Sequence, residues 1–466
     1  MEGRRNLPLL IGALWIAEVT GSFETAMILA ALKRLIQDFG NPAMVGWLIT
    51  GYLIVGAAIA AVVGRIGDMF GRRRTLIVVL AIGAVGSLIS ALSTNFPVLL
   101  AGRLMQGVTG AILPLCIGLV HENMAKDRAP MAIGLMISGA SIGTAAGLVI
   151  GGMIVDQFSW HGIFFTSAGL CITAALALFA FVPVSPRRLS GPPVDWFSGL
   201  AFAPGVALIL VYFSTGKDWG WANPWSLGAL AAGIALVAWW VQRSLASPNP
   251  LIAIRSFGNR TIAVGGAVTA LVSMSTLQIT VFFSLLLQAP IWTVAGLGFS
   301  ATLAGLAKLP SNLSSAFAGP LGGWLAGRGG GRFAIVVGGL VTTVGWLLYF
   351  ILDVNSFAVV VAQLIVISFG ATMLFSVAPT IIAQASPPER ISEISGMLTV
   401  IRQLFLGIGA QMVTTLLAVD VVRRGKEIYP SPFAYDLTVA VIVALCIAAI
   451  LVAFALPRNI QPQEQP

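Results

Sequence analysis

The sequence predicts an all-α membrane protein: two six-helix bundles plus two extra linker helices, about 14 transmembrane helices in all. Composition is the first reason. Of 466 residues, 58% are hydrophobic and 9% charged, with a mean hydropathy of +0.95. A soluble domain carries about 25% charged residues, so this chain cannot cover a water-facing surface. The second reason is the recurrence of apolar runs of bilayer length, about 20 residues each. They are too long for barrel strands and lack alternation, which leaves helices as the spanning element. The third reason is where the basic residues fall.

Met1-Glu2-Gly3-Arg4-Arg5 leads into the first run, near 7–32, with no small-residue cleavage site. We read it as a retained membrane helix and not a removable signal. Five more runs, near 43–63, 75–93, 97–120, 130–154 and 162–182, complete an N-terminal bundle over residues 1–186. The loop from Pro183 to Asp195 is rich in Pro, Ser and Arg and reads as a linker. Two further runs, near 196–215 and 225–242, and the polar stretch Arg243 to Arg260 fill residues 187–260. The last six runs, near 261–288, 299–326, 333–352, 356–383, 395–419 and 437–456, form a C-terminal bundle over 261–466.

With the N-terminus inside, 17 of the 26 Lys and Arg fall in cytoplasmic segments and six in outer ones. That excess places both termini in the cytoplasm, as an even helix count requires. The remaining three, Arg103, Lys308 and Arg402, lie within apolar runs. The net charge of +9 is scattered among short loops, which excludes a nucleic-acid patch and suits anionic lipid. Cys116, Cys171 and Cys446 all sit in apolar runs and read as small core residues, without disulfide or metal-ligand spacing.

The most informative stretch is Gly64-Arg65-Ile66-Gly67-Asp68-Met69-Phe70-Gly71-Arg72-Arg73-Arg74, a polar turn between the second and third runs. Its glycines permit close backbone approach, and Asp68, a lone anion among four arginines, calls for a fixed partner. Gly323-Trp324-Leu325-Ala326-Gly327-Arg328-Gly329-Gly330-Gly331-Arg332 repeats it weakly in the second half, with Gly327 in place of the aspartate.

Glu18 and Glu24 lie within the first run, where a carboxylate is costly and a functional candidate by default. Six residues apart, they project about 120° from one another and need not share a lining. Each reads either as a reversible proton carrier or as a hydrogen-bonding or snorkelling group. Arg103, seven residues past Pro97, is deep enough to need a partner, and Gly107 and Gly110 let a neighbouring helix approach. Glycines 139, 143, 147 and 151 step by four along the fifth run and make a smooth packing face. Lys308 is expected to pair with Glu18 or Glu24 or to meet an anionic group on a substrate, with Asn312, Gln278 and Ser275 as polar neighbours.

The 64–74 turn resembles the loop between the second and third helices of the major facilitator superfamily, with Ile66 for the usual Leu. Further segments resemble its fourteen-helix drug/proton antiporter branch. Phe23-Glu24-Thr25 resembles the branch's L-D-x-T segment, with Glu24 for Asp and Lys33 at the position of the helix-ending proline. Arg103-Leu104-Met105-Gln106-Gly107-Val108-Thr109-Gly110-Ala111 is similar to R-x-x-Q-G-x-x-G-A. Gly147-Leu148-Val149-Ile150-Gly151-Gly152 resembles the antiporter motif G-P-x-x-G-G, with Leu148 for Pro. Asp156 to Phe165 looks like the outer-loop D-x-x-S-W-R-x-I-F, with His161 at the basic position. Asp195-Trp196 and Arg402-Gln403 match further elements.

The resemblance implies the major facilitator fold and alternating access. It implies proton coupling through Glu24 and Arg103, to which depth in the first run adds Glu18; the substrate cavity is expected to touch Glu24 and Gln106 and, from residue type and position, Gln278, Asn312 and Lys308, the last standing where relatives carry an aliphatic residue. Gating falls to Gly64, Asp68, Gly71, Arg72, Arg73 and Arg402, and antiporter-helix packing to Gly143, Gly147, Gly151 and Gly152. Expected partners are protons, the lipid bilayer and a small amphiphilic substrate, with no nucleic acid, cofactor or metal, and a monomeric chain in a bacterial inner membrane. Export of amphiphiles is the expected activity. Proton-coupled movement of a specific organic anion or nutrient is the alternative, favoured by Lys308 and Leu148. A membrane enzyme is disfavoured, because no nucleophile–base pair or metal spacing stands out, and a sensor would need a soluble output domain.

Overall fold

In the computed structural model the described residues are 7–39, 42–125, 127–185, 195–252, 254–293, 296–299, 306–352, 356–424 and 427–457. The linker between 186 and 194 and the basic residues Arg4, Arg5, Lys126, Arg187, Arg188, Lys426 and Arg458 lie outside them, as does the side chain of Lys33.

The first half consists of α1 (Leu7–Phe39), α2 (Pro42–Phe70), α3 (Arg72–Ala91), α4 (Phe96–Gln106), α5 (Ile112–Asn123), α6 (Ala129–Gln157) and α7 (His161–Phe181). Helices α4 and α5 form one span, joined by a 3-10 turn at Gly107–Ala111. Asn95 starts that span by accepting from the Val98 amide, with Pro97 behind it. The extra pair is α8 (Trp196–Trp219) and α9 (Pro224–Ala246). The second half comprises α10 (Arg260–Met274), α11 (Ile279–Gln288), α12 (Leu309–Ile351), α13 (Phe357–Ala385), α14 (Ile391–Leu417) and α15 (Pro432–Ala453). Between α14 and α15 an antiparallel ribbon pairs β1 (Val421–Arg424) with β2 (Glu427–Pro430), a feature absent from the all-helical expectation.

Among the described residues, 12 helices are long and apolar enough to cross a membrane. One of them, α12, has 43 residues, about 64 Å of helix against a hydrocarbon core of about 30 Å. It breaks at Gly330, whose φ of 81° is open to glycine and strained for other residues. Of α8, the stretch Ala201–Phe213 is apolar but shorter than a full span.

Burial follows the two-bundle plan. One apolar core gathers Leu14, Leu76, Leu80, Leu115, Ile133 and Leu178 of the first half. Another gathers Phe282, Trp346, Leu364, Val413 and Tyr435 of the second. The extra pair joins a third, where Phe202 and Trp240 meet Ile54 of α2 and Val400 of α14. The halves touch through glycines. A Cβ on Gly64 would strike the Ser392 carbonyl, one on Gly396 the backbone of Ala60 and Ala61, and one on Gly134 the Gly319 carbonyl. These approaches cluster towards the end of the bundle that carries the 64–74 turn.

Candidate functional site

Three polar constellations occupy the interior. The first lies at the motif end. Gly71, at φ 105°, turns the chain from α2 into α3 and brings Arg72 back over Asp68. The Asp68 carboxylate accepts from Arg72 Nε and Nη2, both at 2.7 Å. It also accepts from the backbone amides of Ser392 at 3.3 Å and Glu393 at 2.9 Å. Those amides belong to the first turn of α14, so an anion of the first half caps a helix N-terminus of the second. Arg72 donates onward to the carbonyls of Gly118 at 3.0 Å and Pro388 at 2.5 Å, and meets Glu122 at 3.4 Å. Arg65 lies 3.6 Å from Glu393 and donates to the Glu389 carbonyl. Arg73 departs from its expected place. It donates to the Leu178 and Phe179 carbonyls of α7 and so ties α3 to its own half.

The second constellation is enclosed within the first half. Glu24 is 0% exposed. Its Oε1 accepts from Ser167 at 2.7 Å, Ser87 at 3.3 Å and the Cys171 thiol at 3.4 Å, and its Oε2 from Thr109 at 2.8 Å. Arg103, also 0% exposed, does not bond this carboxylate. It donates to the backbone carbonyls of Glu24 at 3.3 Å and Leu48 at 3.0 Å, and to Gln106 Oε1 at 2.7 Å. Gln106 passes the link to Ser87 at 2.5 Å. Gly107 and Gly110 admit α2 at Tyr52, Val55 and Gly56, and the Tyr52 ring lies 4.4 Å from the Arg103 guanidinium. Glu24 and Gln106, expected at the substrate cavity, are both fully enclosed within the first half. Hydroxyls from three helical segments surround the Glu24 carboxylate.

The third constellation spans the two halves. Arg402 is the twelfth of the 27 residues of α14, so it stands mid-helix and not at the start of its helix as the sequence suggested. It lines a cavity with Leu113, Ile117, Phe375, Pro379, Leu398 and Thr399. Its guanidinium stacks 4.5 Å from the Phe375 ring centre. Glu18 on α1 is buried, 7% exposed. Among the described residues, Glu18 Oε2 and Arg402 Nε are both enclosed without a hydrogen-bond partner.

The remaining candidates fall elsewhere. Lys308 pairs with neither carboxylate: its Nζ donates to the Thr280 carbonyl at 3.1 Å. Gln278 fastens the α10–α11 corner to α14 through the carbonyls of Ser273 and Leu406, both at 2.9 Å. Asn312 is half-buried early in α12. Gly143, Gly147 and Gly151 pack α6 against Val19, Phe23, Ala26 and Met27 of α1, whereas nothing lies near Gly152, which drops out of the packing set. His121 ends α5 and His161 starts α7, where its Nδ1 is 2.8 Å from Ser159 Oγ. Ser87, Ser167 and Thr109 were not singled out in the sequence. A hydroxyl in an apolar run was the only signal, and only folding reveals that three converge.

The turn at 64–74, the arginine buried in α4 and the two bundles meeting at a central cavity agree with comparison to known proteins. The profile of the Major Facilitator Superfamily matches residues 14–410. The chain belongs to that superfamily. Among its relatives, the tetracenomycin C resistance and export protein of Streptomyces glaucescens is 25% identical over 422 residues, covering 88% of this chain and 76% of that protein. The lincomycin resistance protein LmrB of Bacillus subtilis is 26% identical over 455 residues, covering 96% and 92%. Among solved structures, the human organic anion transporter MFSD10 superposes with a TM-score of 0.66 at 15% identity, covering 96% of this chain and 99% of that one. The proton:xylose symporter XylE gives 0.64 at 12%, covering 96% and 94%. Those two structures attest the fold. The protein is thus an integral membrane transporter of the facilitator superfamily and not an enzyme.

Proposed function

We propose that this facilitator exports small amphiphilic organic molecules in exchange for protons, by alternating access. The observation that carries the reading is Glu24: a fully buried carboxylate ringed by neutral donors, with Arg103 bonded to its backbone carbonyl. Hydroxyls and a thiol satisfy a carboxylate as acceptors, and a hydroxyl also accepts when the acid is protonated, so the cradle tolerates both states. Arg103 stays nearby as a fixed positive charge held by backbone carbonyls. The names of the relatives, resistance and export proteins, favour outward movement.

In this reading α8 and the two arms of α12 bring the crossings to fourteen, the motif end faces the cytoplasm, and both termini lie there. The Asp68–Arg72 lock holds the cytoplasmic end closed while the cavity opens outward. Protonation of Glu24 from outside and release of cargo then alternate, so the inward proton gradient drives export with no other cofactor. The unit is a monomer in a bacterial inner membrane.

The test is transport in everted vesicles with an imposed pH gradient, using matched cationic, neutral and anionic amphiphiles. Gradient-driven uptake into everted vesicles, abolished by Glu24→Gln, is the expected result. Uptake that survives the substitution transfers the proton site elsewhere, and movement without any gradient removes the coupling.

A further inference from the structure

Glu24 is fully enclosed, so a proton reaches it only through groups in hydrogen-bond contact with one another. Four side chains donate to its carboxylate. Ser87, Ser167 and Cys171 are themselves fully buried, and the serines' other bonds stay inside, with one another, with the Gly83 carbonyl and with the buried Gln106. Thr109 leads elsewhere. Its Oγ1 donates to Glu24 Oε2 at 2.8 Å and lies 3.0 Å from the Tyr52 hydroxyl of α2, which in turn lies 3.2 Å from Thr25 Oγ1. Thr109 and Tyr52 are buried, but Thr25 is only half-buried, on the face of α1 that continues one turn later at Leu29, 49% exposed. Each hydroxyl of this chain has a backbone carbonyl as a second acceptor: Gln106 at 2.8 Å from Thr109 Oγ1, and Gly21 at 3.0 Å from Thr25 Oγ1 and 3.3 Å from Tyr52 OH. Each therefore stays bonded whichever way the chain of hydrogens points. The Arg103 guanidinium, 4.4 Å from the Tyr52 ring centre, favours negative charge developing on the phenol as its proton leaves.

We propose that Thr25, Tyr52 and Thr109 form the proton path to Glu24, with Tyr52 as its central relay. The Thr109 O–H bond breaks as the Glu24 Oε2–H bond forms. Thr109 takes the phenolic proton of Tyr52, Tyr52 takes the hydroxyl proton of Thr25, and Thr25 takes one from water at its half-buried side. One proton is added to Glu24 and every hydroxyl is restored, with its hydrogen now pointing away from the carboxylate. Release is the same sequence reversed. Tyr52 is the member that matters most, because a phenol yields its proton far more readily than an aliphatic hydroxyl. The inference rests on Glu24 being the acid that exchanges the proton, and it adds the route and the residue that sets the rate.

The test is a jump from high to low pH on the purified, intact protein in nanodiscs, without cargo, followed by time-resolved infrared absorption. Glu24 is reported by the carboxylic acid C=O band that is missing from Glu24→Gln. Tyr52→Phe keeps the ring over Arg103 and removes only the hydroxyl. It is expected to slow the rise of that band by about tenfold or more while the final amplitude stays that of wild type. Thr25→Val is expected to slow it in the same sense, and Thr25→Ser, which restores a hydroxyl, to return the wild-type rate. A purely structural role for these residues would change the amplitude or the folding and not the rate alone. Wild-type rates in both Tyr52→Phe and Thr25→Val overturn the proposed path and leave Glu24 standing as the acid. The absence of any band lost in Glu24→Gln overturns the acid and the path together.

Discussion

Arg72 and Asp68 are enclosed together, at 4% and 0% side-chain exposure, between α2, α3 and the start of α14. Removing one member of such a pair strands the other, a penalty of about 3–5 kcal/mol, whereas the intact pair adds little on its own. Here the stranded group faces the opposite half, so the cost falls on the state in which the motif end is closed. Arg72→Ala is therefore expected to lengthen the distance between spin labels placed at the motif ends of α2 and α14. An unchanged distance distribution contradicts the assignment of the pair as a lock. Glu24 teaches a related lesson. Its carboxylate was legible as costly from the sequence alone, because an acid in an apolar run needs a reason. That Ser87, Thr109, Ser167 and Cys171 would supply its donors was not, since they come from three segments far apart in the chain and the sequence contains no distances.

Helix α1 carries both acids, and its position is set by the glycine stripe of α6. A Cβ on Gly143 would come within 2.5 Å of the Val19 carbonyl, and one on Gly147 within 2.9 Å of both Phe23 O and Ala26 Cβ. Backbone cannot yield as a side-chain tip does, so Gly143→Val is expected to cost about 1–3 kcal/mol and to displace Glu18 and Glu24 with the helix. Gly152→Val meets open space and is expected to stay within about 0.5 kcal/mol of wild type. Thermal melting in detergent compares them, and equal melting points for the two variants contradict the packing account. The four-residue step made this stripe legible in advance. It did not reveal that Gly152 faces away, because a double glycine matched to a family motif carries no information about which of the two is in contact.

Two ion pairs of unequal depth lie near the extra pair, one between its own helices and one at the start of α14. Arg243 lies 2.9 Å from Asp195 but is 42% exposed, so the pair is worth roughly 0–1 kcal/mol. Arg390 instead bonds Glu393, whose side chain is 1% exposed, and reaches Asn249 at 3.2 Å. Glu393 also faces Arg65 and offers its amide to Asp68. Arg390→Ala is expected to lower the melting temperature clearly more than Arg243→Ala, and the reverse order contradicts this ranking by burial.

At the scale of the whole molecule, hydropathy and the distribution of Lys and Arg made the fold legible, because a bilayer restricts the backbone to few solutions. The site was legible in part. Motif resemblance marked Asp68, Arg72, Glu24 and Arg103, all of which are buried and bonded. Contacts set by long-range packing were not legible: among the described residues Lys308 donates to the Thr280 carbonyl, Arg73 bonds α7 of its own half, and Arg402 lies mid-helix in α14. The division of residues 299–352 into two runs was legible as well, since α12 is interrupted at Gly330, where φ is positive, between the two apolar stretches.

The central claim is that one carboxylate, Glu24, exchanges a proton as cargo comes and goes. The most direct measurement uses purified protein in weakly buffered solution with a pH-sensitive dye. The amphiphile moved best in the vesicle assay is added, and the protons released per molecule bound are counted. The account predicts proton release on binding by the wild-type protein and none by Glu24→Gln, with binding itself retained. Binding without proton release, or the same release from the variant, contradicts it.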